Sequence, residues 1–99
     1  MKIGYMYILE CSDASFYTGS TVDLEIRVIE HNSGEGANYT RRRLPVKLVY
    51  YEEYPHISQA FNREQQIKGW SRKKKLALIN GNHSILPKLS KVYRDLNKK

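Results

Sequence analysis

Five side chains in this sequence have the types and spacing to handle a phosphodiester: Tyr7, Tyr17, Arg27, His31 and Glu64. An arginine presents a planar fork of N–H donors that matches a phosphate bidentately. A carboxylate can hold a hard divalent cation that keeps several of its waters. Cleavage also needs a group to take a proton from the attacking water. On chemistry alone His31 ranks first for that task, because an unperturbed imidazole titrates near pH 6.5. A free tyrosine titrates near pH 10, so forming a tyrosinate at pH 7 costs on the order of 4 kcal/mol. A tyrosine base therefore needs a cationic neighbour, or an acceptor for its own proton as it acts.

These groups need a frame. Residues 3 to 11 alternate so that Ile3, Tyr5, Tyr7, Leu9 and Cys11 point one way and Met6 and Ile8 the other. Apolar residues on both faces predict a covered, central strand. Ser12 to Ser15 is turn chemistry, and Phe16 to Thr21 is a short return strand. Tyr7 and Tyr17 thus fall on neighbouring strands, and the register decides whether they share a face. Asp23 suits the N-cap of a helix that ends near Asn32-Ser33-Gly34. On that helix Arg27 and His31 are one turn apart, bordering the Leu24/Val28 stripe.

Residues 34 to 45 read as a loop, and Val46 to Tyr54 as a third strand. Pro55 and Ser58 open a second helix, roughly Ser58 to Trp70, whose inward line is Ala60, Phe61, Glu64 and Ile67. A carboxylate inside an apolar arc is costly without a partner, which singles out Glu64. Ser71 starts a further helix that Gly81 ends. A tail from Ile85 to Leu96 has apolar residues at helical spacing. The order β-β-α-β-α-α plus a tail helix predicts the α+β class, with a small three-stranded antiparallel sheet flanked by helices. Residues 1–82 form the expected domain, and 83–99 a C-terminal amphipathic segment on the same domain.

Ninety-nine residues with 40% hydrophobic content make one core and exclude a disordered chain. The formal charge of +7 points to an anionic partner, most often nucleic acid. Arg41, Arg42 and Arg43, and Arg72, Lys73 and Lys74, read either as contacts with a phosphate backbone or, for some of them, as a solvated face, and Tyr39 either stacks on a base or pins its loop. The single cysteine, Cys11, cannot form an internal disulfide and reads as a small packing residue. No apolar run is long enough for a signal peptide or a membrane span, so a cytoplasmic protein with no membrane partner is expected.

The order of these residues resembles the GIY-YIG nuclease domain over about residues 3 to 80. Tyr5-Met6-Tyr7 stands at its first tripeptide and Tyr17-Thr18-Gly19 at its second. Arg27 stands at its helix arginine, His31 one turn on, and Glu64 at its metal-binding glutamate. The pattern Tyr-Ile-Leu-x-Cys, Tyr-Thr-Gly and His-Asn-Ser-Gly is most similar to small stand-alone bacterial members. Two positions depart from the family: Tyr5 where a glycine is usual, and Thr18 where an isoleucine is usual. Asn80 and Asn82 both fall where the family often has an asparagine. The resemblance implies a Mg²⁺- or Mn²⁺-dependent endonuclease acting on DNA, structure-selective or partner-directed. Glu64 would be its metal ligand and Tyr7 its general base, assisted by Tyr17 or His31.

Each residue also has a purely structural role open to it. The tyrosines can pack the sheet, Arg27 can pair with Glu30 or Glu25, and His31 can cap a helix dipole. Glu64 can form a buried pair with an arginine. A nucleic-acid-binding module without catalysis is the alternative function, and a tail helix that docks on a protein partner is a third. A monomer is expected.

Overall fold

The computed structural model describes residues 3–81. The expected tail helix and Asn82 lie outside the described residues. The sheet has three strands in the order β2-β1-β3, all neighbours antiparallel: β1 Gly4–Glu10, β2 Phe16–Thr21 and β3 Lys47–Tyr54. The helices are α1 Leu24–Asn32, α2 Asn38–Arg41, α3 Ile57–Lys68 and α4 Arg72–Ile79. This is the α+β frame that the pattern predicts.

β1 is central because its side chains are apolar on both faces. Met6, Ile8 and Leu9 are fully buried and Tyr7 nearly so. Met6 and Ile8 join Tyr50, Ile67, Ala77 and Leu78 in one core, beneath α3 and α4. Tyr7 and Leu9 join Cys11 and Val46 in a second, with Leu24 and Val28 of α1 packed against it. The sheet thus separates two cores, and each carries different candidate residues.

Local chemistry sets the helix ends. Asp23 caps α1, its Oδ1 accepting from the Ile26 N–H at 3.1 Å. Gly34 follows the C-cap Ser33 with a φ of +86°, which a glycine adopts without strain. α3 starts one residue before the expected Ser58. Gln59 reaches back to accept from the His56 N–H at 3.2 Å, and that makes His56 the cap. α3 ends at Lys68 and not at Trp70, with Gly69 as its C-cap, and Ser71 then caps α4.

Two further readings need correction. The segment 34–45 is not all loop, because α2 makes one helical turn within it. Phe61 does not point inward; it is 50% exposed, and the buried line of α3 is Ala60, Arg63, Glu64 and Ile67.

The buried arginine on that line fixes how α3 lies on the sheet. Glu52 of β3 is fully buried and accepts from the Tyr50 and Tyr54 hydroxyls, each at 2.6 Å. Arg63 Nε donates to the same carboxylate at 3.2 Å, and its guanidinium lies over the Trp70 ring. Burial, and then the adjacent Glu52 charge, push both tyrosines well above the usual phenol range. They therefore remain O–H donors, and the buried carboxylate is solvated by protein.

Candidate active site

The register answers the question the sequence leaves open. Tyr7 stands opposite Gly19, and Leu9 opposite Tyr17. Directly paired residues share a face, so Tyr7 and Tyr17 lie on the same side, under α1. The Tyr7 ring crosses β2 at Gly19, where an added Cβ would come within 2.4 Å of the hydroxyl. Only a glycine allows that crossing.

There the Tyr7 hydroxyl meets both polar residues of α1. It lies 2.9 Å from His31 Nε2, and Arg27 Nε donates to it at 3.3 Å. The tautomer follows from the far side of the imidazole. Thr40 Oγ1 donates to the Ala37 carbonyl at 3.1 Å and lies 2.8 Å from His31 Nδ1. The hydroxyl proton is thus engaged, so His31 Nδ1 carries the proton and Thr40 accepts it. Nε2 is then the acceptor, and Tyr7 donates to it. The result is a directed chain from Tyr7 through His31 and Thr40 to the backbone.

Burial pushes the Tyr7 hydroxyl up to about 12, against the pull of the Arg27 charge. Burial, and then the same arginine charge, push His31 down to about 4. At neutral pH the pair is a neutral phenol bonded to a neutral imidazole. Arg27 also donates to Glu30 Oε1 at 2.9 Å. Its bonds to Tyr7 and Glu30 outweigh the burial that opposes its charge, so it stays cationic. Tyr17 packs edge-on against His31, with ring centroids 5.2 Å apart, and stacks on Tyr39 at 6.0 Å. Arg43 covers Tyr39 at 3.8 Å, so Tyr39 is held by contacts with both Tyr17 and Arg43.

Glu64 comes from the other face. Ser20, next to Gly19, points toward α3 and donates to Glu64 Oε1 at 2.6 Å. Lys68 Nζ lies 2.7 Å from Oε2. Glu64 is 6% exposed. Its partners are thus a serine and a lysine, so the alternative of a buried pair with an arginine does not hold; Arg63 pairs with Glu52. The two halves meet around the edge strand β2, close enough for the Glu64 charge to oppose ionisation of Tyr7. Thr18, on the Ser20 side of β2, buries a hydroxyl with no hydrogen-bond partner. Among the described residues no three His, Cys, Asp or Glu side chains converge. A single carboxylate suits a hard cation that keeps most of its waters, not a protein-caged one.

The basic segments flank the β1–β2 turn. Arg43 pairs with Asp13 at 3.0 Å, and Arg72 donates to the Ala14 carbonyl at 2.6 Å while lying over Phe16. Lys74 lies over Trp70, and Arg41 bonds Asn38. Arg42 and Lys73 are exposed. Asn80 is the C-cap of α4.

Three residues of this site escape a reading of the sequence. Thr40 orients His31 and is fully buried. Gly36 lets the loop close over His31, since a Cβ there would fall 2.3 Å from Nδ1. Ser20 holds Glu64. A glycine and a hydroxyl a few residues beyond a functional histidine are the only signal for the first two, and it is a weak one.

The chain belongs to the GIY-YIG family: residues 3–77 match the GIY-YIG catalytic domain. Within it, the chain is 57% identical over 74 residues to a UPF0213 protein of Haloquadratum walsbyi, covering 75% of this chain and 83% of that protein. It is 53% identical over 76 residues to a UPF0213 protein of Staphylococcus saprophyticus, covering 77% and 93%. The solution structure of an E. faecalis protein superposes with a TM-score of 0.56 at 42% identity, covering 84% of this chain and 88% of that one. A Bacillus halodurans UPF0213 protein gives a TM-score of 0.51 at 45% identity, covering 79% and 83%.

Proposed function

We propose that this cleft binds the backbone of a nucleic-acid strand, DNA being the expected partner. The observation that carries this is the place of Arg27. A buried tyrosine and Glu30 hold its partly exposed guanidinium in place, in a protein of charge +7. The two basic segments lie to either side of one turn and extend the phosphate path. Fluorescence anisotropy with labelled DNA tests this. Affinity should fall steeply with salt and should fall again in Arg27→Ala. Binding indifferent to both changes would sink the reading.

Hydrolysis in the same cleft is a second reading, favoured by the chain from Tyr7 through His31 to Thr40. An attacking water would give its proton to the Tyr7 oxygen as the Tyr7 proton passes to His31 Nε2. Thr40 keeps the imidazole in the tautomer that can receive it. Arg27 would hold the phosphate and stabilise the oxygen charge that develops.

The resting cleft opposes this transfer. Burial raises Tyr7 and lowers His31, and both shifts disfavour a tyrosinate beside an imidazolium in the resting site. A divalent cation on Glu64, Mg²⁺ or Mn²⁺, would supply the missing positive field and a Lewis acid for the phosphate oxygens. On this reading, hydrolysis calls for positive charge beyond what the resting site carries. Incubation with branched, flapped and linear DNA in Mg²⁺ or Mn²⁺ tests this reading. Cleavage that survives Glu64→Ala would refute the metal assignment.

A further inference from the structure

The contact between Lys68 and Glu64 bears on how a metal reaches this site. Ser20 holds Oε1 at 2.6 Å from the β2 side. Oε2 is the other oxygen, and Lys68 Nζ sits 2.7 Å from it. Glu64 is nearly buried, while the lysine side chain is 46% exposed and free to leave. Residues four apart on a helix often pair in this way. Here the pair occupies the carboxylate oxygen that Ser20 leaves free.

We propose that Lys68 is a tethered counter-ion of Glu64, and that a divalent cation loads by displacing it. The inference rests on Glu64 being the metal ligand. A divalent ion and an ammonium on one oxygen repel each other, and the flexible lysine stem lets the ammonium give way. Without metal, Lys68 balances a carboxylate that burial would otherwise penalise. With metal bound, the ammonium is released next to the cleft where a phosphate would lie. Loading the cation and arming a second phosphate contact then become one event. Ser20 is a positioning residue in this scheme, because it fixes Oε1 and leaves Oε2 as the exchangeable position.

The test is Mn²⁺ binding by the intact chain, with free Mn²⁺ counted by electron paramagnetic resonance and no nucleic acid present. Lys68→Met should bind Mn²⁺ about fivefold tighter than the wild type, the upper end of what a partly exposed ion pair is worth. Lys68→Arg keeps the cation and should return the affinity to the wild-type value or below. Lys47→Met removes the same charge from a lysine that pairs with Glu10 and should leave the affinity unchanged. Unchanged or weaker binding in Lys68→Met would overturn the exchange. So would an equal gain in Lys47→Met, which would make the effect one of net charge. Glu64→Gln separates the two hypotheses: if it binds Mn²⁺ as well as the wild type does, the metal assignment itself fails and the exchange with it.

Discussion

Acidification should destabilise this protein through His31. The imidazole is fully buried between Tyr7, Tyr17 and Thr40, with Arg27 and Glu30 as the nearby charges. Its pKa is about 4 in the folded chain, against about 6.5 in an unfolded one. Between those values the unfolded state binds the proton and the folded state does not. Stability is therefore complete above pH 6.5 and is lost as the pH falls toward 4. From pH 7 to pH 5 the loss from this one group is about 2 kcal/mol. With a urea slope of about 1–2 kcal/mol per molar, the unfolding midpoint should drop by roughly 1–2 M. Asp13 does not confuse the measurement. Ser15 holds its carboxyl below the usual range, so its own loss comes at lower pH. Urea unfolding at pH 7, 6 and 5, in the wild type and in His31→Gln, isolates the effect. The variant starts less stable, and the readout is its flatter pH slope. A wild-type midpoint that stays level from pH 7 to pH 5, or one that falls equally in His31→Gln, would refute the burial argument.

Gly19→Ala should cost about 1–3 kcal/mol, because the new methyl meets a tyrosine that is packed and unable to swing aside; thermal unfolding measures it. Arg63→Met leaves Glu52 buried without its cation and should cost about 3–5 kcal/mol, whereas Arg63→Met with Glu52→Gln should recover much of that loss. Urea denaturation of both variants compares the two. If the cleft binds duplex DNA, Arg42→Ala with Lys73→Ala should lower the slope of log affinity on log salt by roughly 1.8, at ~0.9 for each lost phosphate contact. Anisotropy titrations over a salt series measure it. An unchanged slope would assign those two side chains to the solvated surface.

The frame was legible because it rests on alternation. The apolar pattern of β1, the cap at Asp23 and the glycine after α1 are all local, and each element formed where its pattern lay. The five candidate positions stand in the sequence as residue types at set separations, and the fold brings Tyr7, Arg27 and His31 into contact. Their partners were not legible, because pairing between distant segments depends on register and on which residue a helix turns inward. Tyr7 and Tyr17 share a face only because Leu9 stands opposite Tyr17. Glu64 stands out in the sequence as a charge in an apolar arc that needs a partner, an arginine being one candidate. The arginine is its immediate neighbour Arg63, and that residue answers a second buried acid, Glu52, which the Tyr-x-Glu-x-Tyr alternation of β3 conceals among tyrosines. Thr40 was hidden inside a stretch whose basic composition suggested only loop.

Because the sheet divides two cores, the cleft has no single foundation. Tyr7, Arg27 and His31 stand on the core beneath α1, and Glu64 stands on the core beneath α3. The span between Tyr7 and Glu64 rests on how two separately packed layers grip one strand, and a shift of either layer would alter it without breaking either core. Hydrogen exchange should report such motion as two protection classes, one for α1 and one for α3, with β1 in the slower of the two. A repacking of Ile67 or Leu78 would then change the span between Glu64 and the tyrosines although neither residue reaches the cleft. The distance that chemistry depends on would be adjustable from the far side of the molecule.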